Sequence, residues 1–361
     1  MTQTGMTRVG IIGVGDISSI YLKNAAELVP FEVVAVADLS AERAQARARE
    51  FGIPNVLTPS QLLAHPDVDV VLNLTIPAAH AEVSRAALEA GKHVYGEKPL
   101  ALDREAGRAL VELARARGLR LGSAPDTFLG AGLQTCRQLI DEGVIGRPLA
   151  ATAFMMSHGV ETWHPNPDFF YQPGAGPMFD MGPYYLTALI SLLGPIQTVT
   201  GQAVSGFEER TITTAKRLGE RIPVRTPTHV TALLGFGSGV AASLTTSFDV
   251  WHAQVPRIEI YGSEGTLSLP DPNTFGGPVR MRLAQDKEWR DVPVERPYSQ
   301  NSRGLGLSDL LASVREGRAP RASGQLALHV LDAMQSTLES AEAGRTLTLS
   351  TTAERPAPLT L

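Results

Sequence analysis

The stretch Val9–Ser19, VGIIGVGDISS, constrains this chain more than any other. A short apolar run ends in Gly13-Val14-Gly15-Asp16-Ile17-Ser18, and a helix-like pattern follows. This is G-x-G-x-x-S, one residue from the full dinucleotide-binding pattern. In that pattern the first Gly makes a tight turn and the second lets backbone N–H groups approach a pyrophosphate. The third lets helix and strand come close. Ser18 stands in the third place, where a small side chain can do the same job. A pyrophosphate would meet the N-terminus of the following helix, where unpaired N–H groups and the dipole favour an anion. Gly13, Gly15, Asp16 and Ile17 are therefore the first candidate cofactor contacts. Short Gly runs after an apolar strand are also often plain turns, so the loop needs support from elsewhere.

Two further stretches supply it. Phe31–Asp38, FEVVAVAD, is a second buried-strand pattern and ends in an acid 25 positions after Gly13. An acid roughly 20 residues on, at the end of the second strand, holds a ribose 2′-OH. This points to NAD, because a carboxylate repels a 2′-phosphate. NADP stays an alternative, since Arg43 is close enough in sequence to meet that phosphate. Asp38 could equally cap the helix that runs to Phe51, as could Ser40. In the second stretch, Lys92–Pro99 (KHVYGEKP), a strand-like run stops at Gly96. Glu97-Lys98-Pro99 then falls at a carboxyl end, where ligands bind parallel sheets. Pro99 biases Lys98 toward extended backbone. A lysine beside a cofactor can act as general acid or base if its pKa is lowered. A surface lysine in a loop is the plain alternative.

These motifs are joined by Thr75-Ile76-Pro77-x-x-His80 and by Gly174-Ala175-Gly176-Pro177-Met178-Phe179-Asp180-Met181-Gly182-Pro183-Tyr184. Together, in this order and spacing across nearly the whole chain, they resemble the Gfo/Idh/MocA oxidoreductases. The resemblance implies that Thr75 and Pro77 lie against the ribose and nicotinamide side of the cofactor. His80 either joins them or makes an ordinary helix-start hydrogen bond. Glu97 is implied near the nicotinamide-side ribose, or it pairs with a neighbouring lysine. Lys98 is implied as a cofactor contact and as the acid/base. Much of the family reads D-x-G-x-H where this chain has Asp180-Met181-Gly182-Pro183-Tyr184, with Tyr in place of the catalytic His. A phenol has a reference pKa of about 10 and more naturally donates a hydrogen bond. The proton is therefore assigned first to Lys98 and second to Tyr184, and Asp180 orients the sugar or tunes Lys98. The resemblance also implies a sugar, polyol or glycoside substrate and assembly as a homodimer or homotetramer.

At 361 residues the chain is long enough for two domains, expected at 1–124 and 125–361. Residues 8 to about 124 alternate strand and helix, which implies a doubly wound Rossmann domain. From Pro148 onward, short strands joined by Gly, Pro and Ser turns imply an open, mostly antiparallel sheet with helices on one face. His158–Tyr185 is polar, aromatic and Pro-rich, and reads as a structured loop followed by a helix, Leu186–Leu193, that Pro183 opens. Trp163 and His164 are its candidate substrate contacts, or they fill the interior between domains. Asp126, where the rhythm of the first domain breaks, joins them as a substrate candidate. A net charge of −5 with no long basic run points away from nucleic acid and anionic membranes. The single Cys136 allows no internal disulfide. The start MTQTGMTR lacks an apolar signal core, and no run approaches the ~18 apolar residues of a membrane span. A cytoplasmic protein without a metal is the expectation. Redox-assisted glycoside cleavage with recycled NAD, and a non-catalytic dinucleotide sensor, remain as alternatives to a simple dehydrogenase.

Overall fold

The computed structural model describes residues 7–28 and 31–359. Residues 1–6, 29–30 and 360–361 lie outside the described residues; a helix expected over Ile20–Val29 ends among them. The chain forms two units. The first runs through Leu129 and takes in Gln300–Leu331, and the second holds Gly130–Ser299 and the residues from Asp332 onward.

In the first unit, strands and helices alternate as β1 (Thr7–Ile12), α1 (Ser18–Leu28), β2 (Phe31–Ala37), α2 (Ala41–Phe51), β3 (Asn55–Leu57) and α3 (Pro59–Ala64). They continue as β4 (Val70–Asn73), α4 (Pro77–Glu89), β5 (His93–Gly96), α5 (Arg104–Ala116) and β6 (Leu121–Ser123). The strands pair in parallel in the order β3-β2-β1-β4-β5-β6. Val9, Ile11, Val36, Val70 and Val71 are fully buried. Such continuous apolar runs are what a parallel sheet covered on both faces requires. Ile12, Val34, Leu62, Leu88, Val94 and Leu110 form one core with Leu328 from the returning segment. Each such side chain contributes about 1.5–3 kcal/mol by leaving water. β3 is missing from the sequence pattern because its three residues are too few to show a period and none of them is buried.

The second unit contains α6 (Ala131–Asp141), β7 (Pro148–Met156), α7 (Gly176–Leu193), β8 (Ile196–Val204), β9 (Glu209–Thr211), β10 (Arg221–Pro223), β11 (His229–Phe236) and β12 (Ala241–Ser247). It continues with β13 (Ile258–Gly262), β14 (Gly265–Leu269), β15 (Val279–Leu283) and β16 (Arg290–Val292). After these the chain forms α8 (Leu305–Glu316), α9 (Gly324–Ala343) and β17 (Leu347–Thr348). Its large sheet has the order β16-β15-β14-β13-β7-β12-β11-β8-β17, antiparallel except for the parallel pair β7 and β12. Along β11, Val230, Ala232, Leu234 and Phe236 are buried while Leu233 is exposed. This period of two marks one packed and one open face, and α7 lies against β7, β11 and β12.

Two expectations are corrected here. Gln300–Leu331 belongs with the first unit, where α8 packs on β5 and β6, although a single boundary at 124/125 assigns it to the second. The Ser123 N–H donates to the Ala322 carbonyl, and Gly122 bridges Ser323. A linear pattern does not register such a return. Second, α7 starts at Gly176, ten residues before the expected Leu186, so Pro183 lies inside the helix. Pro177 occupies the first turn, where a missing N–H costs nothing. Burial of nearly every α7 side chain outweighs the single hydrogen bond that Pro183 forgoes.

Candidate active site

The strand order reverses between β1 and β4, and this is where open α/β sheets bind ligands. Three loops leave the carboxyl ends there: Gly13–Ile17 after β1, Thr75-Ile76 after β4, and Glu97-Lys98-Pro99 after β5. Gly13 has φ +90°, and a Cβ on it would lie 2.7 Å from the Leu74 carbonyl, so only glycine suits the position. Gly15 differs. A Cβ there meets nothing within 4 Å, so its bare backbone faces open space that a ligand's phosphates would fill. Ser18 is fully buried, and its hydroxyl donates to the Gly15 carbonyl at 2.6 Å. The small third residue thus serves where the pattern has glycine. Asp16 and Ile17 are exposed at the lip of the loop.

Asp38 directly follows β2, beside this loop. Its Oδ2 accepts from the Val14 N–H and its Oδ1 from the Ser40 N–H, both at 2.9 Å. Ser40 is the N-cap of α2, accepting from the Arg43 N–H at 3.3 Å. Asp38 is thereby left to brace the glycine loop. The Arg43 guanidinium lies 3.6 Å from the Asp38 carboxylate. The residues fit a dinucleotide: an open glycine, the start of α1, and an acid at the end of the second strand.

The other two loops are tied together by His80. It is buried, with Nδ1 2.7 Å from the Pro99 carbonyl oxygen and Nε2 2.9 Å from the Thr75 carbonyl oxygen. The structure therefore gives His80 a bracing position between the Thr75 loop and the Lys98 loop. Asn73, fully buried at the end of β4, completes the brace. Its Oδ1 accepts from the Thr75 hydroxyl (2.6 Å) and N–H (3.2 Å), and its Nδ2 donates to the His80 carbonyl and the Ser84 hydroxyl. Sequence reasoning passes over Asn73, although an Asn closing an apolar strand was the available signal. Pro77 opens α4 at its first turn. Glu97 accepts from the Tyr21 hydroxyl at 2.8 Å and from the Lys98 N–H at 3.1 Å. Burial, and then the Glu97 charge, push the Tyr21 phenol well above its ordinary range. Lys98 is half-buried beside this pair.

Asp126 takes a different place from the one its sequence position suggests. It is buried, and its Oδ2 accepts from the Gly304 N–H at 2.9 Å and the Gly306 N–H at 3.0 Å. These groups open α8, so the carboxylate is committed to a helix N-terminus. Burial raises its pKa to about 6, while the Gly306 and Gly304 N–H groups pull the other way.

In the second unit, Asp180 and Tyr184 stand four residues apart on α7, hence on one face of the helix. Tyr184 is buried and Asp180 half-buried. Trp163 is 66% exposed and makes an edge contact with the half-buried His164. Both follow a turn in which the Trp163 and His164 N–H groups donate to the Val160 carbonyl. Beside this turn lies a buried ionic knot that sequence reasoning misses, because its members are distant in the chain. Arg210 binds Glu161 and Asp249, at 2.8 and 2.9 Å. Among the described residues no cluster of His, Cys, Asp and Glu could hold a metal ion, and no helix is long and apolar enough to cross a membrane.

A doubly wound sheet with a glycine loop at its switch point, followed by a large open sheet, is the build of a two-unit protein that binds a dinucleotide. Comparison with known proteins makes this specific. Residues 7–124 match the family model described as an oxidoreductase family NAD-binding Rossmann fold, and residues 133–268 match the GFO/IDH/MocA C-terminal domain. The chain belongs to the Gfo/Idh/MocA family of NAD-binding oxidoreductases. It is 31% identical to the 1,5-anhydro-D-fructose reductase of Ensifer adhaerens, over 73% of this chain and 75% of that one. It is also 31% identical to inositol 2-dehydrogenase 3 of Saccharopolyspora erythraea, over 78% of this chain and 80% of the relative. The solved structure of a levoglucosan dehydrogenase in complex with NADH shares the fold. Its TM-score is 0.82 at 21% identity, covering 96% of this chain and all (100%) of that one.

Proposed function

We propose that this protein transfers hydride between NAD and a hydroxyl/keto pair on a sugar, polyol or glycoside. The observation that carries this reading is the convergence of the open Gly15 loop, Asp38, the His80-braced Thr75 loop and Lys98 at one carboxyl edge. Bound NAD supplies the hydride acceptor. Gly13–Ile17 hold its pyrophosphate, Asp38 faces its ribose hydroxyls, and Thr75, Pro77 and Glu97 line the nicotinamide side. Lys98 takes the hydroxyl proton as the carbonyl forms, and returns it in reduction. The phenol of Tyr184 donates a hydrogen bond to the reacting oxygen, and Asp180 orients the sugar. Trp163 and His164 offer an apolar face beside a polar edge, the mixture a sugar ring needs. The names of the relatives, which act on anhydrofructose and inositol, support this substrate class.

The open face of the large sheet is proposed as the surface through which copies assemble into a homodimer or homotetramer. Light scattering in solution reads that state directly. A cytoplasmic setting belongs to the same proposal, in keeping with a lone, buried Cys136.

The test follows nicotinamide absorbance with NAD and NADP separately, against aldoses, inositols, polyols and glycosides. Turnover with one substrate class should fall at least about a hundredfold in Lys98→Ala, and saturating dinucleotide should not restore it. A Lys98→Ala enzyme of undiminished rate, or a wild type that binds NAD and oxidises or reduces nothing, would overturn the reading.

A further inference from the structure

The knot around Arg210 has no part in that chemistry, yet its guanidinium bonds two carboxylates and two backbone carbonyls. Arg210 lies on β9 and is 3% exposed. Its Nη2 donates to the carbonyls of His158 (2.9 Å) and Phe248 (3.0 Å), beyond the bonds to Glu161 and Asp249. Its plane stands 4.8 Å from the Phe207 ring centre. Glu161 is closed from its other side by the Tyr171 hydroxyl, and Asp249 by the Thr228 hydroxyl at 2.6 Å and the Gly206 N–H at 3.1 Å. Three segments meet on one guanidinium: the chain after β7, β9 with its flank, and the end of β12.

Two carboxylates on one buried arginine are a poor source of stability, because desolvating three charges offsets their attraction. What such a fork supplies is a single geometry. The geometry reaches Trp163 by a short route. Glu161 follows Val160, whose carbonyl accepts the N–H groups of Trp163 (3.2 Å) and His164 (2.8 Å). We propose that Arg210 is a positioning residue for the substrate: by fixing Glu161 and the His158 carbonyl it holds the 158–171 segment in the one conformation in which Trp163 and His164 take the sugar. This rests on the functional reading above.

The test compares Arg210→Lys, which keeps the charge but not the fork, with Arg210→Met, each alone and combined with Trp163→Ala. The sugar KM should rise about tenfold or more in Arg210→Lys, since small misplacements weaken positioning steeply, while the NAD KM stays put. Trp163→Ala should then cost less in the Arg210→Lys background than in wild type. An unchanged sugar KM, a parallel loss for NAD, or fully independent effects of the two substitutions would overturn the proposal. If Arg210→Met does not fold, Arg210→Lys decides. Limited proteolysis separates this claim from the functional one. Arg210→Lys should expose the 158–171 segment to cleavage even if no sugar is turned over, and an unchanged cleavage pattern overturns the positioning role.

Discussion

Asp126→Asn removes a buried negative charge and keeps a carbonyl oxygen where Asp126 now accepts the Gly304 and Gly306 N–H groups. In the folded protein this carboxyl titrates at about 6, against an ordinary 3.8. Between those values the folded chain holds a proton that the unfolded chain has released, so stability falls as pH rises through the window. The stabilisation is complete below 3.8 and gone above about 6. A shift of about two units is worth about 3 kcal/mol at about 1.36 kcal/mol per unit. The Asn variant carries no such penalty. It should match wild type in acid and exceed it by up to about 3 kcal/mol near about pH 8. Urea unfolding of both proteins from about pH 4.5 to about pH 8 measures this, and their difference isolates the one residue. A difference that does not change with pH, or an Asn variant less stable than wild type at the alkaline end, refutes the reasoning. Kinetics on the same pair test a substrate role: an unchanged sugar KM leaves Asp126 with α8, and a large rise makes it a substrate contact.

Gly15→Ala should leave stability within about 0.5 kcal/mol, because the added methyl touches no protein atom, while NAD affinity measured by fluorescence titration falls about tenfold or more. Gly13→Ala should do the reverse of sparing the fold. Its φ of +90° and its approach to Leu74 should cost at least about 1–3 kcal/mol in thermal melts. Equal stability of the two variants would remove the distinction drawn between these glycines. Asn73→Ala strips partners from Thr75, His80 and Ser84. Each group left buried and unpaired costs about 1–3 kcal/mol, and the NAD KM should rise with the loss of loop order. An Asn73→Ala protein with wild-type melting and NAD KM would deny Asn73 its bracing role.

The nucleotide-binding half was legible because its signals are local. A buried parallel strand must be a run of apolar residues, and a turn at φ +90° must be glycine, so Gly13, Asp38 and the β-α rhythm show in the linear order. The pattern was weaker where a short element carries no period, as in β3, or where burial overrides a local breaker, as with Pro183 inside α7. His80 and Asn73 show the limit well. The sequence marked His80 as a residue of interest, but that it spans two loops depends on Pro99 and Thr75 meeting across neighbouring strands.

What the sequence determined alone was the class of fold, the dinucleotide loop and the order of the motifs, since these follow from spacing along one chain. What only the tertiary structure decided was the set of partners that lie far apart in that chain. Residues 300–331 return to complete the first unit, and Asp126 spends its carboxylate on α8. Arg210 draws together carboxylates from two other segments. Buried polar groups must find partners wherever the fold brings them, and a sequence records which groups need a partner without recording which partner arrives.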